Sequence, residues 1–237
     1  VTYIKDVNPI VDLVLSMLRR LHVSNFKSLK NVNMEFKPLT IIIGPNSSGK
    51  SSILQSILLL KKLHLNQGNV SMPGLFDIEG YINMGLWNDL AFDEESPMRF
   101  TLSIGDESLS FQYNISINRD GKLSADGELE LENVIGRLPR ITINLPYSQK
   151  TPQSVNINVK GATLVLSWDG FKATVSTTAG PFPEDLRDRL LSTINEWSRR
   201  VFFVPSPIAM YRLPRISITQ QRSRDVVVNS LKNSLTP

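Results

Sequence analysis

Leu39-Thr40-Ile41-Ile42-Ile43-Gly44-Pro45-Asn46-Ser47-Ser48-Gly49-Lys50-Ser51-Ser52 is the stretch from which the fold is read. Leu39 to Ile43 is short, apolar and β-branched, a composition suited to a buried central strand. Gly44 to Ser51 then matches G-x-x-x-x-G-K-[ST] at every fixed position. Behind it, Ile53, Leu54, Ile57, Leu58, Leu60 and Leu65 recur at helical intervals, which predicts a helix over Lys50 to Leu65. Strand, glycine loop and helix in that order are the context the loop needs.

Each residue type in the loop has a physical reason. Glycines at 44 and 49 permit close backbone approach to a polyphosphate. Loop amides turned inward cradle phosphate oxygens, and the start of the following helix adds partial positive charge. Lys50 supplies an ammonium for the β- and γ-phosphates, and the Ser51 hydroxyl can ligate Mg²⁺. The nucleotide-binding candidates are therefore Gly44, Pro45, Asn46, Ser47, Ser48, Gly49, Lys50 and Ser51, with Ser51 also the metal candidate.

Upstream, Leu18 to Phe26 reads as a strand, and Val32, Met34 and Phe36 alternate with polar neighbours as in a half-buried strand. Downstream, Gln67 to Glu95 is broken by Gly68, Pro73, Gly74, Gly80 and Gly85. From Met98 to Thr177 the period becomes two. Phe100, Leu102 and Ile104 alternate with polar residues, as do Leu109 to Ile117; Val155, Ile157 and Val159 form another strand, as do Leu164, Leu166 and Trp168. Asp120-Gly121 and Asp169-Gly170 supply turn signals between such runs. This predicts an antiparallel β-rich block. Pro183-Glu184-Asp185 opens a further helix with Leu186, Leu190, Leu191, Ile194 and Trp197 on its apolar face. Val201 to Val204 is a short strand candidate.

Composition narrows the class. The chain has 237 residues, 41% hydrophobic and 20% charged, as in a globular protein. No apolar run is long enough to span a membrane. Cysteine is absent and histidine limited to His22 and His64, which excludes thiolate zinc sites, disulfide frameworks and multi-histidine metal sites. The lack of cysteine fits a reducing compartment, and a cytoplasmic location is expected. The net charge of +4 permits contact with nucleic acid without demanding it. Arg199, Arg200, Arg212, Arg215, Arg222 and Arg224 make the last part more basic.

Leu21-His22-Val23-Ser24-Asn25-Phe26-Lys27-Ser28-Leu29, together with Leu39 to Ser52, resembles the opening of an ABC-type ATPase head. The resemblance is to the RecF/SMC/Rad50 group and to the related AAA-like ATPases of the OLD family, and it covers residues 18–65. It implies an α/β fold: a P-loop NTPase core with an antiparallel β-rich subdomain, as in the N-terminal lobe of an ABC ATPase. It also adds Asn25, Lys27 and Ser52 to the nucleotide-binding candidates, because in such heads the Asn-Phe-Lys-Ser segment lies beside the nucleotide. The cofactors implied are ATP and Mg²⁺. The partners implied are ATP or ADP, a second copy or a C-terminal ATPase half, and DNA, with no membrane. Gly80 to Leu90 is similar to a glycine-plus-acidic segment of several members.

The resemblance also fixes what such a head requires and these residues do not clearly supply. Leu90-Ala91-Phe92-Asp93-Glu94 imitates a Walker B strand but has three apolar residues and comes early, and it reads better as a solvated acidic loop. Leu123 to Glu128 is one residue too long for a signature loop. No glutamine takes the Q-loop position, and His64 reads as a partly exposed helix residue. The expected organisation is an N-terminal extension over 1–16, with Met17 the suspected start, and an incomplete ATPase lobe over 17–237. That lobe divides into a core over 17–66, a β subdomain over 98–178, and a helix, strand and basic tail over 184–237. The expected activity is ATP hydrolysis coupled to dimerisation and to action on DNA, once a C-terminal half or partner supplies the missing parts. A nucleotide-binding module that does not hydrolyse, or a protein-interaction module, remains the alternative.

Overall fold

The computed structural model describes residues 18–78, 82–131, 134–159 and 161–201. The expected N-terminal extension, Phe202 to Val204 and the basic residues after Arg200 lie outside the described residues.

Alternation of apolar residues builds one six-stranded antiparallel sheet. Strands β1 (Leu18–Phe26) and β2 (Leu29–Glu35) form a hairpin. The meander β5 (Met98–Gly105), β6 (Leu109–Ile117), β7 (Lys122–Leu131) and β8 (Val134–Asn144) follows later in the chain. The strand order is β2-β1-β5-β6-β7-β8, so the segment before the loop and the β-rich block share one sheet. Leu21 and Val23 of β1, Phe100 and Leu102 of β5, Phe111 and Tyr113 of β6 and Leu123 and Leu129 of β7 are buried. The opposite face carries His22, Thr101, Asn114 and Asp126, cross-strand neighbours by register, and is solvated. At Asp126 the β7–β8 register shifts, so that Pro139 and Arg140 oppose one residue. A proline, lacking an N–H, is tolerated at such a bulge.

A second sheet of β9 (Gln153–Val159), β10 (Ala162–Trp168) and β11 (Ala173–Ala179) has β10 in the middle. It packs on the apolar face of the first sheet through Trp168, whose ring meets Phe111 at 5.9 Å and Tyr113 at 5.7 Å, both edge-to-face. Such ring pairs add to the area they bury. Gly136 is required where the sheets approach, because a Cβ there would lie 2.4 Å from Ile157 Cδ1. The expected turns are present: Asp169 accepts from the Phe171 and Lys172 amides, and Gly121 closes the β6–β7 turn onto Asn118.

Helix α1 (Lys50–Leu65) buries Ile53, Ile57, Leu60 and Leu63. It stops at Gln67 and Gly68, both at positive φ, with the Gly68 amide donating to Leu63 O. The irregular stretch after it contains the single turns α2 (Met72–Leu75) and α3 (Trp87–Leu90) and the two-residue strands β3 (Asp77–Ile78) and β4 (Ile82–Asn83). Helix α4 (Glu184–Asn195) buries Leu186, Leu190 and Ile194, and a 3₁₀ turn (Trp197–Arg200) follows it. Arg189 on α4 bridges Asp106 at 2.9 Å.

Two expectations are corrected here. Leu39 to Ile43 is not a buried central strand: it pairs with no described strand, and Leu39, Ile41 and Ile43 are 80%, 74% and 86% exposed. A strand needs neighbours for its amides and carbonyls, and no strand among the described residues flanks it. His64 is not partly exposed but 2% exposed. Its Nδ1 meets Ser198 Oγ at 2.8 Å and its Nε2 meets Ile194 O at 3.1 Å, fixing the end of α1 to the end of α4.

Candidate nucleotide-binding loop

The loop sits where three local choices converge. Ser47 and Gly49 adopt positive φ of 63° and 93°, which folds the chain back before α1 begins. Gly49 caps the helix with no side-chain hydrogen bond, and the first turn carries no acidic residue. The first amides of α1 therefore keep free donors and meet no competing negative charge, the electrostatics an anion requires. Lys50 lies over the loop: its Nζ donates to Gly44 O at 2.8 Å and to Pro45 O at 2.5 Å. The loop from Gly44 to Ser48 is exposed, Gly49 is buried and Ser52 is buried in the first turn of α1.

Gly49 rests on the β1–β2 turn. A Cβ at that position would lie 3.0 Å from Ser28 Oγ and 3.1 Å from Leu29 Cδ2. The turn uses Asn25 and Lys27 at positive φ, 61° and 52°. Between Leu18 and Leu65 the acids are limited to Glu35, against Arg19, Arg20, Lys27, Lys30, Lys37, Lys50, Lys61 and Lys62.

Asn25 and Lys27 belong to the turn whose Ser28 and Leu29 meet Gly49, and their groups are engaged by another segment. The Asn25 side chain accepts from the Asp93 amide at 2.6 Å and donates to Asp93 O at 2.8 Å and Ser96 O at 2.7 Å. The Lys27 amide donates to Leu90 O at 2.5 Å. Burial lowers the pKa of the Lys27 ammonium, opposed by the Asp89 carboxylate. Trp87 Nε1 donates to Glu94 O at 3.1 Å and closes the same segment on itself. This strap over the turn was not legible from sequence: Asn25 and Asp93 are 68 residues apart and no periodicity links them.

The rejected candidates also have places. Asp93 follows α3 in a loop, not at the end of a strand, with its carboxylate on the Ser96 hydroxyl and the Glu95 amide. Those bonds hold it below the usual carboxylate range. Leu123 to Glu128 lies inside β7, so it forms no loop. Of the glutamines considered for the Q-loop position, Gln112 points outward from β6 and Gln153 begins β9. Among the described residues no helix is long and apolar enough to cross a membrane, and no group of three or more metal-ligating side chains occurs.

A lysine arched over a glycine-bounded loop at the start of a helix is the arrangement of a P-loop. Residues 17–163 match the AAA ATPase domain family, and the chain belongs to that family. A stretch of 44 residues is also 48% identical to a protein described as OLD nuclease from Thermus scotoductus. That stretch is 19% of this chain and 8% of that relative's length. Membership in the family implies nucleotide binding.

Proposed function

We propose that the chain binds Mg-ATP through Gly44, Pro45, Asn46, Ser47, Ser48, Gly49, Lys50, Ser51 and Ser52. The carrying observation is the uncapped, acid-free start of α1 with Lys50 over the loop. In this reading Lys50 leaves the Gly44 and Pro45 carbonyls when a phosphate chain offers it stronger, charge-assisted partners. Ser51 ligates Mg²⁺ through its hydroxyl, which would neutralise developing phosphate charge during transfer. Asn25 and Lys27 belong to the site as the turn that backs Gly49, with Lys27 bringing a partly desolvated cation.

Hydrolysis needs a group that orients water, and no described acid stands at a strand end beside the loop. We therefore propose that ATP turnover depends on structure paired with the exposed run from Leu39 to Ile43, contributed by further chain or by a second subunit. Action on DNA, in repair, chromosome maintenance or defence, is the proposed role, supported by the partial likeness to a protein described as OLD nuclease. A cytoplasmic location belongs to the same proposal. The test is calorimetric titration with Mg-ATP. Saturable one-site binding, lost by about 100-fold or more in Lys50→Ala, is expected. Equal affinity in the variant would overturn the reading and favour a protein-interaction module.

A further inference from the structure

Leu90 to Glu94 imitates a Walker B strand in sequence and leads into a loop instead, so it has no part in the phosphate chemistry above. The structure ties it, through to Ser96, to the end of the β1–β2 hairpin at three places. The Lys27 amide donates to Leu90 O. The Lys30 ammonium lies 4.4 Å from the centre of the Phe92 ring, a cation–π contact. Asn25 accepts from the Asp93 amide and donates to Asp93 O and Ser96 O, gripping both sides of the small loop between them. The same loop also leans on the β6–β7 turn, where Arg119 stands 3.5 Å from Glu94 and 3.9 Å from Glu95.

The Asn25 side chain is fully used by this grip. A side-chain amide has two N–H donors, and both go to carbonyls of the segment. The residue is 7% exposed. Asn25 therefore has no N–H left for a phosphate, and it acts on the phosphate loop through the backbone it fixes. That backbone lies close by: Ser28 Oγ and Leu29 Cδ2 stand 3.0 and 3.1 Å from where a Cβ of Gly49 would be. Gly49 is the residue at φ 93° that caps α1. Leu29 is buried, so the turn cannot retreat from Gly49 without exposing an apolar side chain. We propose that Asn25 is a positioning residue for nucleotide binding: its grip on Asp93 and Ser96 holds the β1–β2 turn against Gly49, and an occupied phosphate loop holds the grip closed in return. The proposal rests on the nucleotide reading above. Such coupling is reciprocal. If an open grip lowers the affinity for phosphates, bound phosphates make opening rarer by the same factor. The coupling passes through the loop, so it is blind to the base.

The test uses the full chain and two readouts. Calorimetry with Mg-ATP and with inorganic tripolyphosphate, which has no base, compares the wild type with Asn25→Gly. Glycine tolerates the φ of 61° and lacks the grip. Both ligands are expected to weaken by the same factor, about 5- to 150-fold. Hydrogen exchange followed by NMR needs no variant. Saturating Mg-ATP is expected to slow exchange of the Asp93 amide by a factor of the same order. It should leave unchanged the Asp106 amide, which donates to Leu109 O in the β5–β6 turn. A grip that serves as scaffold alone leaves Asp93 exchange unchanged, and that result overturns the proposal whether or not Asn25→Gly folds. Equal slowing at Asp93 and Asp106 also overturns it, since that marks a general stabilisation. So does a folded Asn25→Gly chain with wild-type affinity, or one weakened toward Mg-ATP alone. In each of these cases the nucleotide reading stands if the wild type binds Mg-ATP and Lys50→Ala does not. A wild-type chain that binds neither ligand overturns both.

Discussion

Strand β10 and the run from Leu39 to Ile43 carry the same pattern and end in opposite surroundings. Leu164, Leu166 and Trp168 alternate along β10 and are all fully buried. Leu39, Ile41 and Ile43 stand at the same spacing in a more continuous apolar run and are all more than 70% exposed. The difference lies in neighbours. β10 has β9 and β11 hydrogen-bonded on its two sides and the rings of β6 beneath Trp168. The run before the loop has no paired strand among the described residues. Period-two alternation encodes readiness for burial, and burial itself requires a second surface. The segment carrying the chemistry is the one whose surface is not provided within the described residues.

That contrast can be broken most forcefully at Trp168. Its removal should hollow the interface between the two sheets, because the ring contacts both Phe111 and Tyr113. Trp168→Ala is expected to cost about 3–5 kcal/mol, read as a lower urea midpoint. A loss under about 1 kcal/mol would mean that the sandwich is not the stable half of the molecule.

His64 fixes the helix that follows the loop to the end of α4, and its protonation tests how firmly the loop side is held. Burial lowers its pKa from 6.5 to about 4, with the Ile194 carbonyl partly opposing the shift. Between those values the unfolded chain takes up a proton that the folded chain refuses. Stability is therefore full above about pH 6.5 and falls as the pH drops toward 4, by roughly 3 kcal/mol for this group. His64→Gln should flatten that part of the stability–pH curve. An unchanged curve would show that α1 is not held through this imidazole.

A smaller effect is expected at Asn25, which ties the strap to the turn under the loop. Asn25→Ala removes three hydrogen bonds and places alanine at a φ of 61°. A cost of about 1–3 kcal/mol is expected, with faster hydrogen exchange at the Asp93 amide. Asn25→Gly relieves the backbone but not the lost bonds, so it should recover a fraction of the stability and none of the Asp93 protection.

The sequence made the sandwich legible because half-buried strands alternate and Asp-Gly turns punctuate them. Residues 109–117 and 164–168 show both signals. The site was legible in its loop for a different reason, since phosphate chemistry restricts Gly44, Gly49, Lys50 and Ser51 to few residue types. Other features were hidden. His64 reads as polar, and its approach to Ser198 and Ile194, 134 and 130 residues away, explains its burial. The Asn25–Asp93 strap and the exposed Phe92 depend on the same kind of distant pairing. Leu39 to Ile43 misled because its composition describes a partner surface that the described residues do not contain.

The smallest effect is expected where the comparison is sharpest, at Ile41. Being 74% exposed, it gives up almost no buried area when truncated, so Ile41→Ser should change the stability of this chain by no more than about 0.5 kcal/mol. The corresponding change in β10, Leu166→Ala, removes a fully buried side chain and should cost about 2–5 kcal/mol. The two positions differ in residue type and replacement as well, but the expected gap in cost comes from burial. If Ile41→Ser proved as costly as Leu166→Ala in chemical unfolding, the run before the loop would already be covered in solution. The dependence of turnover on added structure would then have to be abandoned. If it proves nearly neutral for stability yet weakens association with a completing ATPase half, the exposed run is the surface through which the loop acquires its missing chemistry.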